Sequence, residues 1–191
     1  MNKKTINILL VSAIILITAI FRVVNSEMHI YHLLPIAALG LFSGSVLNNK
    51  FYAYLIPLFA MFISDMGIGL FTNMDGFYGI SQVINYGAIL LVTLLGTKLT
   101  KRSVVNVTGF SLAGSTIFFL LSNLGTFLSG YYGFSFVGFI ECYTMALPFY
   151  KNEMANTFFA NSFVGDLLFS YLSFGIYYLV SYKIGKVQFA K

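Results

Sequence analysis

The chain returns repeatedly to apolar stretches of about twenty residues, broken only by isolated polar side chains, and a run of that length matches a helix crossing a ~30 Å hydrocarbon layer. Ile6 to Val24 is the first such stretch, and its one charged residue is Arg22. The runs do not alternate apolar with polar residues, which excludes a transmembrane β-barrel. Composition agrees: 9% of the 191 residues are charged, where soluble domains carry roughly 25%. With 11 basic and 6 acidic side chains, the chain cannot coat a water-facing surface, so the partner its surface calls for is a lipid bilayer. Its 13 Tyr residues suit the membrane interface.

The same sparseness excludes nucleic acid as a partner, since no basic stripe with interleaved aromatics exists. No GxxxxGK[ST] occurs, so an ATP-driven process would need another subunit. Cys142 has no second cysteine to pair with.

The polar breaks divide the chain into six expected spans, near Ile6 to Val24, Leu33 to Leu47, Phe51 to Phe71, Ile80 to Leu99, Val105 to Leu128 and Phe158 to Tyr182. The expected fold is thus all-α, an integral membrane bundle of six transmembrane helices in a single domain over residues 1–191. The second span is short and starts beside Pro35, which predicts a tilt or an extended entry. Lys3 and Lys4 precede a run with no small-residue cleavage site after it, so the first span reads as a retained helix rather than a secretory signal. Between the last two spans, Val137 to Phe149 is apolar, too short to cross and closed by Pro148. It reads as an interfacial or re-entrant segment.

Charge orients the spans. A cytoplasmic N-terminus places Lys3, Lys4, Lys50, Lys98, Lys101, Arg102, Lys183, Lys186 and Lys191 inside and only Arg22 and Lys151 outside. Nine against two accounts for all 11 basic residues and satisfies the positive-inside rule, with both termini cytoplasmic.

An Asp at mid-bilayer costs ~2.5 to 3.5 kcal/mol on insertion scales, so acids inside spans mark candidate sites. Asp65 and Asp166 are the two clear cases, each expected ~9 to 12 Å inside the outer end of its span. Gln82, Asn85, Ser122, Asn123, Thr126, Asn161 and Ser162 fall in the same outer half, and Arg22, His29 and His32 lead from the first span to the second. The six acids, Glu141 among them, lie on or near the outer half, while the inner half is almost purely apolar. The expectation is an outward-facing polar chamber with Arg22, His29, His32, Asp65, Asn85, Asn123, Glu141, Asn161 and Asp166 as ligand-binding candidates.

Plainer readings stand beside this one. Ser122, Asn123 and Thr126 also suit interhelical hydrogen bonding, and Asp65 and Asp166 also suit structural partners such as Arg22 or helix ends. Ala37, Gly40 and Gly44 form a small-residue face made for helix packing. His29 and His32 stand one turn apart near Glu27, but two imidazoles are too few for a metal site, so no metal and no cofactor is expected. Two membrane acids could share a proton as in an intramembrane aspartyl hydrolase. That family's Gly-x-Gly-Asp motif is incomplete here, since Phe163 stands where its first glycine belongs before Gly165 and Asp166. No catalytic residue is therefore assigned.

The stretches HLLPIAALGLFSG, IPLFAMFISDMGIG, FFLLSNLGTFLSG, ECYTMALPFYKN and NSFVGDLLFS, in this order, resemble a family of uncharacterised small bacterial multi-pass membrane proteins. That resemblance implies a bacterial inner (cytoplasmic) membrane. More distantly, the chain resembles the substrate-binding S-components of energy-coupling-factor vitamin transporters. The likeness lies in size, six helices, a glycine-bearing second helix and Asp-x-x-x-Gly at Asp65 to Gly69. It implies a vitamin-sized small-molecule ligand, uptake as the function, and an ATP-driven energy-coupling module as partner. Two features depart from that family. Ala13 is followed four residues on by Ile17, where those proteins usually offer Ala-x-x-x-Ala to the module, and the triplet Met28-His29-Ile30, terminal in nickel and cobalt members, is internal here. A non-catalytic structural or assembly role is the alternative from another class.

Overall fold

The structure, a computed structural model, describes residues 3–27, 36–147 and 158–189. Among these residues it is all-α: α1 (Lys3–Glu27), α2 (Ile36–Val46), α3 (Lys50–Phe71), α4 (Ile80–Lys98), α5 (Val104–Leu128), α6 (Phe136–Met145) and α7 (Phe158–Phe189). Five of them, all but α2 and α6, are long and apolar enough to cross a membrane. The expected second span is represented by the 11 residues of α2, about 16 Å of helix, too short to cross alone.

The directions of the helices follow from their contacts. Arg22 meets Asp65, and Ser26 meets Met74, so α1 and α3 run parallel. Gln82 and Tyr86 reach back to Asp65, Gly125 packs on Ser81, and Ser115 meets Asp166, so α4, α5 and α7 alternate in direction. α1 therefore begins, and α7 ends, at the same end of the bundle, where the Asn7 amide lies 3.5 Å from the Tyr177 hydroxyl. α2 runs opposite to α3, since Ser43 near its end meets Ala53 near the start of α3 and Ser45 meets Leu99 at the end of α4.

α2 is the centre of the molecule. It contacts α1, α3, α4, α5 and α7, and every residue in it except Ser45 is buried. Its glycines explain how so many neighbours fit. A Cβ on Gly44 would collide with the Thr93 carbonyl oxygen, and one on Gly96 with that of Leu41, so α2 and α4 touch backbone to backbone. Phe42, Leu41, Val11, Ile15 and Val92 fill the space around this crossing. The small-residue face expected at Gly40 and Gly44 is thus a packing seam.

Pro57 interrupts α3 and has no N–H to offer the carbonyl of Ala53, one turn earlier. Ser43 of α2 repairs the gap, its hydroxyl donating to that carbonyl at 2.8 Å. α6 lies against the last turns of α5: Tyr143 donates its hydroxyl to the Leu120 carbonyl at 2.7 Å, and Phe139 packs edge-on to Phe127. It occupies part of the stretch expected to be interfacial or re-entrant. Pro148 and Phe149 lie outside the described residues.

Candidate functional site

Two buried carboxylates organise the polar interior, and each is held by its own set of partners. Asp65, on α3, is 0% exposed. One of its oxygens is paired with the Arg22 guanidinium of α1, and the other accepts from Gln82 Nε2 at 2.8 Å and from the Tyr86 hydroxyl at 2.7 Å. Gln82 and Tyr86 stand one helical turn apart on α4, which puts both donors on the face toward α3. Arg22 also donates to Ser64, which in turn donates to the Met61 carbonyl at 2.8 Å. The loop after α3 closes over this cluster. Gly76 passes so near the Asp65 carbonyl that a Cβ there would collide with it. Removing two charges from water is tolerable because they neutralise each other and their remaining lone pairs are occupied.

Tyr78, in the same loop, accepts from Asn85 Nδ2 at 3.2 Å. Burial pushes its phenol up from the ordinary tyrosine range, while the Asn85 hydrogen bond and the nearby Arg22 charge pull the other way. The Arg22 side chain also reaches this tyrosine, and among the described residues Arg22 Nε and Asn85 Oδ1 are buried without a hydrogen-bond partner. Reversing the Asn85 amide would exchange which end is satisfied and still leave half of it unpaired.

The second carboxylate, Asp166 of α7, is 2% exposed. It accepts from the backbone N–H of Ala38 at 3.0 Å and from the Ser115 hydroxyl at 2.7 Å. Ala38 belongs to the first turn of α2, so Asp166 supplies an acceptor for an N-terminal amide in the bundle interior. At the other end of α2, Arg102 donates through Nε to Ser45 Oγ at 2.8 Å and through a terminal nitrogen to the Ser45 carbonyl. Its guanidinium also sits 5.7 Å from the centroid of the Tyr177 ring. Both ends of the central helix are therefore met by side-chain hydrogen bonds from other elements.

Of the residues expected at the site, Arg22, Asp65 and Asn85 are brought together. Asp166 is joined to α2 and α5 and shares no hydrogen-bond partner with Asp65. The Asn123 side chain is buried and donates to the Phe119 carbonyl of its own helix at 2.8 Å, while its backbone carbonyl accepts from the Cys142 thiol. Glu141 is exposed on α6, and Asn161 lies in the first turn of α7. His29 and His32 lie outside the described residues. Tyr86, Ser64 and Ser115 were not singled out from the sequence. The four-residue spacing of Gln82 and Tyr86 was the available signal for one of them. The use of the Ala38 amide had no side-chain signal at all.

Across 2–188 the sequence matches the model of one protein family. The chain belongs to DUF6580, a family of unknown function. Searches of curated proteins and of solved structures gave no match. DUF6580 thus brings a name for the whole chain, and this member's chemistry has to be argued from its two carboxylate clusters.

Proposed function

We propose that this DUF6580 protein is an S-component-like membrane protein that binds a vitamin-sized small molecule in an outward-facing polar site and serves its uptake. The observation that carries the reading is a pair of buried atoms, Arg22 Nε and Asn85 Oδ1, that have no hydrogen-bond partner among the described residues and belong to two side chains that meet Tyr78. A buried polar atom without a partner costs about 1 to 3 kcal/mol, and a ligand that offers an acceptor to one and a donor to the other removes that cost. The carboxylates position this site rather than present free lone pairs. Arg22, Asp65, Gln82, Tyr86, Tyr78 and Asn85 are its residues.

In this reading both termini are cytoplasmic, following the nine-to-two basic split, and the cluster lies in the outer half of a bacterial inner membrane. An energy-coupling module would meet α1, whose Ala13 and Ile17 are exposed. The rival reading, a structural or assembly protein, draws on the saturation of Asp65 and Asp166, since such pairs also hold helices together. An aspartyl hydrolase is a weaker rival, because each carboxylate is engaged by donors of its own.

Native mass spectrometry of protein purified in mild detergent decides between them. A co-purified small molecule that is lost in Asn85→Leu, with the helical fold retained, supports binding. An empty protein that shows no thermal shift across a panel of vitamins and metals rejects it in favour of the structural role.

A further inference from the structure

Asp65 and Asp166 are both buried, but only Asp65 has a cation beside it. The two helices that hold Asp166, α2 and α5, contain no ionisable side chain anywhere in their lengths. On α7 itself the nearest ionisable group is Tyr171, whose hydroxyl is shared with Thr108. α1 reaches this level through Phe21, which packs on Phe169, and the ionisable group next to it, Arg22, is committed to Asp65. Among the described residues, Asp166 therefore stands in the bundle interior with neutral neighbours alone.

The hydrogen bonds around it can be counted proton by proton. Asp166 Oδ1 takes the Ala38 N–H at 3.0 Å. Oδ2 lies 2.7 Å from Ser115 Oγ, and that same hydroxyl lies 3.0 Å from the Ser111 carbonyl, one turn back on α5. A hydroxyl has a single proton to donate. With Asp166 as an anion accepting from Ser115, the carboxylate and the Ser111 carbonyl compete for that proton, and one close oxygen pair is left without its own. With Oδ2 protonated, the acid donates to Ser115 Oγ and Ser115 donates to the Ser111 carbonyl, so each short contact holds one proton. Oδ1 remains an acceptor for Ala38 in either state.

Charge points the same way. The N-terminal end of α2 favours an anion, but by several-fold less than the cost of drying a carboxylate that has no cation beside it. The seam between α5 and α7 continues from Ser115 with two more hydroxyl pairs at successive turns, Ser111 with Ser170 and Thr108 with the partly exposed Tyr171.

We propose that Asp166 is an interior proton-binding site, a neutral carboxylic acid at neutral pH that donates to Ser115 and exchanges its proton with water. Release of the proton turns the Ser115 hydroxyl from the Ser111 carbonyl to the carboxylate and leaves a charge where α2, α5 and α7 meet. Proton occupancy is thereby coupled to the seating of the central helix. This goes beyond the ligand-binding reading and does not depend on it.

Infrared spectroscopy of the full chain in dodecyl maltoside, a detergent with no carbonyl group, tests the site directly. At neutral pH the unmodified chain should show the stretch of a protonated carboxylic acid, shifted downward in heavy water as a lipid ester band would not be. Asp166→Asn, whose amide keeps an oxygen for Ala38 and a donor for Ser115, should fold and lose the band. Ser115→Ala should keep the band and move it to higher frequency, because the acid has lost its acceptor. Raising the pH should remove the band reversibly. Since the fold favours the neutral form, the melting temperature of the unmodified chain should fall over that same range, and by more than that of Asp166→Asn. No acid band at neutral pH, or one that survives in Asp166→Asn, overturns the proposal. Should Asp166→Asn fail to fold, a band that Ser115→Ala leaves unmoved overturns it instead.

Discussion

Replacing Arg22 by Leu leaves the Asp65 carboxylate buried with Gln82 and Tyr86 but no cation, and replacing Asp65 by Leu leaves the guanidinium equally stranded. Each single change should cost ~3 to 5 kcal/mol, whereas the Arg22→Leu/Asp65→Leu pair should cost less than the sum. Thermal unfolding of the four proteins in one detergent measures this, and additive losses would mean that the two residues do not act as a pair. Asp166 calls for a different contrast. Asp166→Asn keeps a carbonyl oxygen for the Ala38 amide, while Asp166→Leu orphans that amide, at about 1 to 3 kcal/mol, and leaves the Ser115 hydroxyl only the Ser111 carbonyl of its own helix. The Leu variant should therefore melt well below the Asn variant; equal melting points would show that Asp166 is no cap. Arg22, Asp65 and Asp166 were legible in the sequence because ionisable side chains stand out against apolar runs. Their partners were not. Gln82 and Tyr86 acquire meaning only once α4 faces α3, and a backbone amide carries no signature in the one-letter code.

At the level of elements, hydropathy located α3, α4 and α5 almost to the residue, because each is a long span bounded by polar turns or caps such as Asn49 and Ser103. It also found the apolar stretch that holds α6. For the expected second span, the described helix is Ile36–Val46, buried among its neighbours, and an apolar run buried in protein reads the same as one buried in lipid. The contacts that make α2 a core helix are the Gly44 and Gly96 crossings and the Ser43 hydroxyl on Ala53, all set by neighbours distant in sequence. Ser43→Ala should leave the Ala53 carbonyl unpaired in a dry interior and lower stability by about 1 to 3 kcal/mol, readable as a fall in melting temperature. The loss should vanish when Pro57→Ala restores the N–H that α3 lacks. If Ser43→Ala is equally costly in the Pro57→Ala background, the repair account is wrong. Gly44→Ala should already reduce folded yield and Gly44→Leu should abolish it, since the first added carbon meets the Thr93 carbonyl. A normal yield of Gly44→Ala by size-exclusion chromatography would contradict that packing.

For the whole molecule, the parallel course of α1 and α3 and the alternation of α4, α5 and α7 put both described ends at one face of the bundle, which the proposed orientation turns to the cytoplasm. Fusions at Lys191 and in the Lys101 loop should both report cytoplasm; a periplasmic signal from either would invert or break the arrangement. The central position of α2 also bears on how the protein is made. α2 leaves the ribosome well before α7, yet one wall of its seat is α7, and the acceptor for its Ala38 amide is Asp166 on that wall, 128 residues later in the chain. The middle of the bundle must therefore wait, unfinished, until α7 has been made. Chains stopped before residue 158 should be cleared by membrane proteases in a pulse-chase, and residues 158–191 supplied as a separate polypeptide should rescue them.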